Sequence, residues 1–497
     1  MTDSSENSSS VSLRSVSLLT ILSFGQMLIL FVLQLILARA FGTSEAMDAY
    51  LAAYSIPLML GGIFSGLIST IVVPIYSDLL AKHEHRIAES AIARLGLKLT
   101  VLAALIAGGI KLGAEPLIEF LFSSFSPHQS RQAVDVLQTL TWLIPLNAFT
   151  GFMFGVEHVR RRFVWPALSG VVGPVVTIAL FLISTDPQIS TLATTVLWGT
   201  LCSVGMLLWQ YPRFASHAET AGTSQWKQFW ILAIPLCLAA AVLRIDVFVD
   251  RLLAAELPQG SISRMGYAWR IATSVVALAT SGLSIVIFPA FAEHASKKDW
   301  DSLRTDLQEC WRFLTIITVP ILAGIAVCGK TIIVVLFERG VFTSADSDAV
   351  SQMLILYGGV ILAAGVGEIS ARTFYAMGRN WIPTLVGVTS FTLGTIIKVA
   401  FLDSLGATGL VSVTSLYRLL SMTILLGCMW QLGLLKRDSG LWTTLVRTVA
   451  ATAVAVGLAA VVMSVPSSIR VLLGVTLAVL SYVAIQAALG DPFARRA

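Results

Sequence analysis

Fourteen apolar runs dominate this sequence, each long enough to cross a bilayer as a helix. They fall at about 13–41, 47–78, 88–111, 134–156, 165–184, 189–211, 228–254, 262–292, 307–336, 347–377, 381–402, 408–431, 441–464 and 467–489. About 20 apolar residues in helical form span the ~30 Å hydrocarbon core. Backbone groups in lipid must be satisfied internally, which leaves helices or a closed barrel. A barrel needs alternating segments of about 10 residues, and these runs do not alternate. Only 12% of residues are charged, against about 25% in a soluble domain. The expected fold class is therefore an all-α integral membrane protein of about fourteen transmembrane helices.

The loops set the orientation. Lys82 and Arg86, Arg160 to Arg162, Arg213 and Lys227, Lys297, Lys298 and Arg304, Arg379, and Lys436 and Arg437 all fall on one side, with Arg14 and Arg495–Arg496. The alternate loops carry Glu45, Glu115, Asp186, Glu256, Asp346 and Asp403. The basic side is expected to be cytoplasmic, with both termini inside. The polar, Ser-rich stretch 1–12 has no basic leader segment and reads as a disordered tail. The net charge of +5 is spread over these short loops rather than along a basic stripe, so no nucleic-acid partner is expected.

Several chemistries are absent from the pattern. There is no GxxxxGK[ST] loop to cradle a nucleotide. The five cysteines lie far apart, without metal-type spacing. No His–carboxylate or nucleophile–base arrangement stands out. An enzyme is not expected, and no cofactor or metal, apart from a monovalent coupling cation. A membrane glycosyltransferase or polymerase is the alternative from a different class, and a non-transporting scaffold is a further one.

The chain also repeats itself. "VVPIYSDLLAKHE" (Pro74) corresponds to "IFPAFAEHASKKD" (Pro289), 215 residues later, and "RFVWPALSGVV" (Pro166) to "RNWIPTLVGVT" (Pro383), 217 later. The shared offset of six spans keeps both halves in the same orientation, a parallel repeat about an axis along the membrane normal. The expected organisation is an N-lobe at 13–215 (spans 1–6), a C-lobe at 226–432 (spans 7–12), and two further spans within 441–489. Two such lobes rocking about a central site give alternating access. Pro57, Gly61, Gly62 and Pro174 are candidate helix hinges, and packing contacts explain them equally well.

Ionisable residues inside spans cost roughly 2.5–3.5 kcal/mol each on insertion scales, so each is a functional candidate. Asp246 and Asp250 are four residues apart and share a helix face; they could hold a cation or pair with Arg244 and Arg251. Arg270 lies a turn or two inside the eighth span and suits a cavity wall that binds phosphate. Arg418 is a second cavity candidate. Glu368 and Arg372 are spaced to pair, and Lys398, near Asp403, could reach the outer interface.

The stretch "ARAFGTSEAMDAYLAAYSIP" followed by "VVPIYSDLL", with "VDRLLAAELPQGSISRMGYAWR", "LFERGVFTSADS" and "ARTFYAMGRNWIPTLVGV", resembles the MurJ/MviN family of lipid II flippases, part of the multidrug/oligosaccharidyl-lipid/polysaccharide exporter superfamily. The resemblance runs in order across nearly the whole chain. It implies a multi-pass protein of the bacterial inner membrane that moves a polyprenyl-diphosphate-linked saccharide between lobes, with membrane lipid around it and other cell-envelope biosynthesis proteins as candidate partners. It implies that Asp48 sits at the outer end of the central cavity, that Arg270 is a cavity arginine, and that Arg39 is structural. The sequence departs from the family where arginines are usual: the first span reads "GQMLILFVLQLIL", and Gly61–Gly62 replaces an Arg pair. Trp269 stands where an acid usually precedes the arginine of the eighth helix. The expected function is a flippase for a lipid II-like peptidoglycan precursor. The alternatives are a flippase for an exopolysaccharide or O-antigen unit, and a cation-coupled multidrug exporter.

Overall fold

The structure, a computed structural model, describes residues 13–82, 84–184, 187–212, 222–435, 440–463 and 470–488. The tail 1–12 and the bases Arg213, Lys436, Arg437, Arg495 and Arg496 lie outside the described residues, as do the side chains of Arg14, Arg244 and Pro289. The described elements are all helices, and the chain divides into two compact units, Met1–Ile262 and Ser263–Ala497.

The first unit contains α1 (Leu13–Phe41), α2 (Glu45–Lys82), α3 (His85–Leu112), α4 (Ala114–Leu121), α5 (Pro127–Leu140), α6 (Leu143–Val159), α7 (Val164–Ile183), α8 (Ile189–Leu208) and α9 (Gly222–Ala255). Its centre is α2, which packs along α6, α5 and α9. Ile68, Val72, Ile75 and Tyr76 of α2 meet Ile92 and Leu95 of α3 and Phe152 and Val156 of α6 in one buried cluster. In lipid such helices are held by close packing rather than by expulsion of water.

The second unit contains α10 (Ser261–Ser296), α11 (Trp300–Phe337), α12 (Ser344–Leu356), α13 (Gly358–Ala376), α14 (Trp381–Ala400), α15 (Leu402–Gln431), α16 (Leu441–Met463) and α17 (Arg470–Ala488). Its core joins Leu307, Trp311 and Leu314 of α11 to Ile369 and Phe374 of α13 and Leu425 and Met429 of α15. The two C-terminal helices α16 and α17 pack on each other and on α11.

Eleven stretches among the described residues are long and apolar enough to cross a membrane, against the fourteen expected. The expected spans 7, 8 and 14 correspond to α9, α10 and α17, helices of 34, 36 and 19 residues. Two of the eleven, Pro127–Val159 and Ser344–Ala376, are each built from two helices. The first breaks at Thr141–Trp142, where Pro145 lacks the N–H that would bond the Thr141 carbonyl; that carbonyl takes the Ile144 N–H at 3.0 Å instead. The second breaks at Tyr357, ahead of Gly358–Gly359.

These breaks fall at the repeat offset, as do other details of the two units. Ser126 caps α5 by accepting from the Gln129 N–H at 3.1 Å, and Thr343 caps α12 by accepting from the Asp346 N–H at 3.3 Å. The chain leaves α6 through Arg161 (φ 56°) and α13 through Gly378 (φ 71°). In each case the next N–H reaches back five residues, Arg162 to Glu157 and Arg379 to Phe374, at 2.9 Å in both. Each pair is separated by 216 or 217 positions. By sequence α9 opens the second repeat, yet it packs on α2 and α3 and belongs to the first compact unit.

Candidate functional site

The charges that a membrane span should avoid gather at particular helix ends. At the start of α2, Ser44 accepts from the Met47 N–H at 3.3 Å, and Glu45 and Asp48 occupy the first turn, where the helix dipole favours acids. Asp48 is 3% exposed, and its Oδ2 accepts the Gly260 N–H at 2.6 Å. Gly260 has φ +86°, a conformation natural to glycine, in the turn that follows α9. One turn along α2, the Leu51 carbonyl accepts from Arg251 Nη1 of α9 at 2.9 Å. The aspartate of the opening helix thus ties the α9–α10 turn to α2. Arg39 is exposed at the end of α1.

Asp246 and Asp250 share one face of α9, as residues four apart do, and both are buried, 3% and 8% exposed. Arg251, next to Asp250, is engaged with the Leu51 backbone of α2.

In the second unit the bases follow α10, α14 and α15. Arg264, which the sequence reading did not single out, binds the Asp346 Oδ1 through Nε (3.1 Å) and Nη2 (2.9 Å). The other oxygen of Asp346 accepts from the Thr343 N–H (3.0 Å) and hydroxyl (2.7 Å), closing a capping box at α12. The capping pattern Thr-x-x-Asp was the available signal. Arg270 is half-buried further along α10. Its neighbour Trp269 stacks edge-on against Tyr357 at the break before α13, with ring centroids 5.3 Å apart.

Lys398 corrects an expectation. It does not reach the interface: it is 1% exposed, with its ammonium 5.3 Å from the centre of the Tyr417 ring. The Arg418 guanidinium lies 5.5 Å from the same ring. Two cations therefore approach one aromatic ring inside this unit. Glu368 and Arg372 pair with each other at 2.6 Å, as their spacing predicts.

The hinge candidates lie inside helices. α2 runs through Pro57, Gly61 and Gly62 as one helix, and α7 runs through Pro174. Gly61 is a packing position, since a Cβ there would lie 3.0 Å from Asn147 Nδ2 of α6. Gly173, next to Pro174, packs on α8, and a Cβ there would lie 2.6 Å from Ser203 Oγ. Among the described residues, breaks within the membrane-length stretches fall at Thr141–Trp142, at Tyr357, and at Gly406 (φ 59°) within α15.

An open apolar groove of about 430 Å³ lies between α11 and α16, lined by Val319, Ala323, Val327, Val449, Val456 and Gly457.

The family model described as "Lipid II flippase MurJ" matches residues 37–480. A probable lipid II flippase MurJ of a Synechocystis species is 24% identical over 431 residues, covering 82% of this chain and 78% of the relative. The corresponding Rickettsia prowazekii protein is 22% identical over 419 residues, 81% of each chain. A solved structure of a lipid II flippase MurJ in an inward closed conformation superposes with a TM-score of 0.81 at 18% identity, covering 95% of this chain and 98% of that one. An inward-facing multidrug resistance MATE transporter superposes with a TM-score of 0.69 at 14% identity, covering 82% and 96%. With the family pattern spanning most of the sequence, the chain belongs to the lipid II flippase MurJ family.

Proposed function

We propose that this protein flips lipid II, a polyprenyl-diphosphate-linked saccharide, across the bacterial inner membrane by alternating access, without covalent chemistry. The observation that carries the reading is the family match over residues 37–480. The chemistry of the second unit supports it. A diphosphate needs bidentate or clustered cations, and Arg270, Arg418 and the buried Lys398 are the candidates of this unit. The groove between α11 and α16 offers an apolar wall for a polyprenyl chain. Asp48 acts at the outer end as a tie between α2 and the α9–α10 turn. Asp246 and Asp250 are candidates to couple a monovalent cation. Both termini are cytoplasmic in this reading, following the basic loops.

A second reading, a flippase for an exopolysaccharide or O-antigen unit, is favoured by one observation. The site of the family's first-lobe arginine pair is here Gly61–Gly62, and Asn147 packs into the space at Gly61. Complementation separates the two. The chain is expressed in a bacterium depleted of its own lipid II flippase, and growth and lipid II accessibility at the outer face are followed. Rescue that Arg270→Ala abolishes supports lipid II. Failure to rescue by a well-expressed, inserted protein moves the assignment to another lipid-linked glycan.

A further inference from the structure

The end of the first unit where basic loops gather holds a second polar site. Arg160, at the C-terminal end of α6, donates to three elements at once. Nη2 reaches Glu89 on α3 (2.7 Å), and Nη1 reaches Glu157 on α6 (3.0 Å) and the Gln210 carbonyl beyond α8 (2.8 Å). Two carboxylates share one guanidinium, so the trio carries one excess negative charge. Burial alone would lower the Arg160 pKa, but the Tyr76 hydroxyl and the Glu157 carboxylate outweigh it and push it up, so this cation is permanent. Glu157 is fully buried, and its Oε2 has no hydrogen-bond partner among the described residues; the fully buried Tyr76 hydroxyl lies beside the Arg160 guanidinium. Buried polar atoms left in this way call for a donor.

Beside them opens a cleft of about 580 Å³, lined by Tyr76, His85, Glu89, Arg160, Arg162 and Gln210. This is within the range of small-ligand sites. At its rim, Arg162 is exposed and held by Gln210 Oε1 at 3.2 Å. Trp209, 90% exposed, sits at the end of α8, where aromatic side chains mark a membrane–water interface.

We propose that this cleft binds a primary ammonium group carried beside a phosphate, the chemistry of an aminophospholipid headgroup or of free phosphoethanolamine. The ammonium offsets the excess negative charge of the Glu89–Glu157–Arg160 trio and donates to Glu89, whose Oε1 the His85 imidazole approaches only to 3.8 Å, within the field of buried Glu157. Arg162 meets the phosphate at the rim, and Trp209 sets the depth. A purely anionic headgroup would meet two carboxylates. A hard divalent cation, which takes six or more oxygen ligands, would sit against Arg160.

The test uses the full-length purified protein in detergent, with binding read by tryptophan fluorescence. Dihexanoyl-phosphatidylethanolamine is expected to bind saturably and at least ten-fold more tightly than dihexanoyl-phosphatidylcholine, which keeps charge and phosphate but has no N–H. Glu89→Gln is expected to weaken it about ten-fold, and Arg162→Ala to weaken both lipids alike. Free phosphoethanolamine that competes with equal potency identifies a soluble ligand; competition by the short-chain lipid alone identifies a headgroup. Equal binding of the two lipids by the unmodified protein would overturn the proposal, whatever the variants do. So would unchanged selectivity in a folded Glu89→Gln protein.

Discussion

Asp48 and Gly260, 212 residues apart, are joined by a 2.6 Å hydrogen bond from the Gly260 N–H to the Asp48 carboxylate. The bond is buried, so the aspartate that opens α2 spends its charge on backbone. A hydrogen bond to a charged group contributes about 1.5–3 kcal/mol. Asp48→Ala is expected to lower the stability of the purified protein by about 2 kcal/mol. Asp48→Asn keeps an acceptor and is expected to lose less than half of that. If the tie serves as an outer gate, Asp48→Asn will still reduce transport in the complementation assay while thermal unfolding stays close to that of the unmodified protein. Equal unfolding for Ala and Asn would rule out the bond as the source of the effect.

Hydropathy alone carried the fold class, because lipid leaves a spanning chain almost no choice but helix. The breaks within the fourth and tenth spans were harder to see. Only the single missing N–H of Pro145 and the Gly358–Gly359 pair mark them. Charge was legible by position but not by use. Arg160 reads as one more basic loop residue, yet Glu89 and Glu157 consume it internally. Lys398 reads as a side chain long enough to reach water, yet it lies folded over Tyr417. Which of several nearby groups a long side chain meets depends on helix rotation and packing, and one sequence does not specify these.

Arg264 and Asp346 form a partly buried pair, with Asp346 also closing the capping box of α12. The arginine is 30% exposed on its side chain, so the cost of losing it is moderated by solvent. Arg264→Ala is expected to cost about 1 kcal/mol, since Thr343 still satisfies Asp346. Asp346→Ala removes the cap as well and is expected to cost about 2–3 kcal/mol. The double variant should cost no more than Asp346→Ala alone, because both changes act on one network. Additive losses in thermal unfolding would show that the two residues act independently.

Lys398 separates a structural from a transport role. Replacing a buried charge by an apolar group of similar length is often neutral for stability. Lys398→Met is therefore expected to leave the unfolding temperature within about 2 °C while transport falls about ten-fold, a loss of about 1.4 kcal/mol of substrate interaction. Lys398→Arg should not restore transport, because the planar guanidinium does not fit a site packed around a compact ammonium. Transport that survives Lys398→Met would leave Arg270 and Arg418 as the phosphate-binding cations of this unit.

Arg161 leaves α6 in a left-handed conformation, which costs an L-residue about 1–2 kcal/mol relative to glycine. The equivalent position after α13 is Gly378. Arg161→Gly is expected to stabilise the protein by up to about 1 kcal/mol, read as a higher unfolding temperature. A lower unfolding temperature would show that the Arg161 side chain makes a stabilising contact greater than its backbone strain.

Gly61 tests the departure from the family pattern directly. Asn147 is fixed by its own bond to the Leu143 carbonyl at 2.8 Å, and a Cβ at residue 61 would approach its Nδ2 to 3.0 Å. Restoring a first-lobe arginine by Gly61→Arg therefore forces α2 and α6 apart and is expected to cost about 1–3 kcal/mol. Asn147→Ala on its own removes the bond to Leu143 and should be mildly destabilising. Combined with Gly61→Arg it opens the space the arginine needs, so the double variant should be more stable than Gly61→Arg alone. If that double variant also gains lipid II transport in a complementation strain that the unmodified protein rescues poorly, the missing cation is what limits transport. A gain in stability with no gain in transport would mean that the second unit alone supplies the phosphate-binding charge.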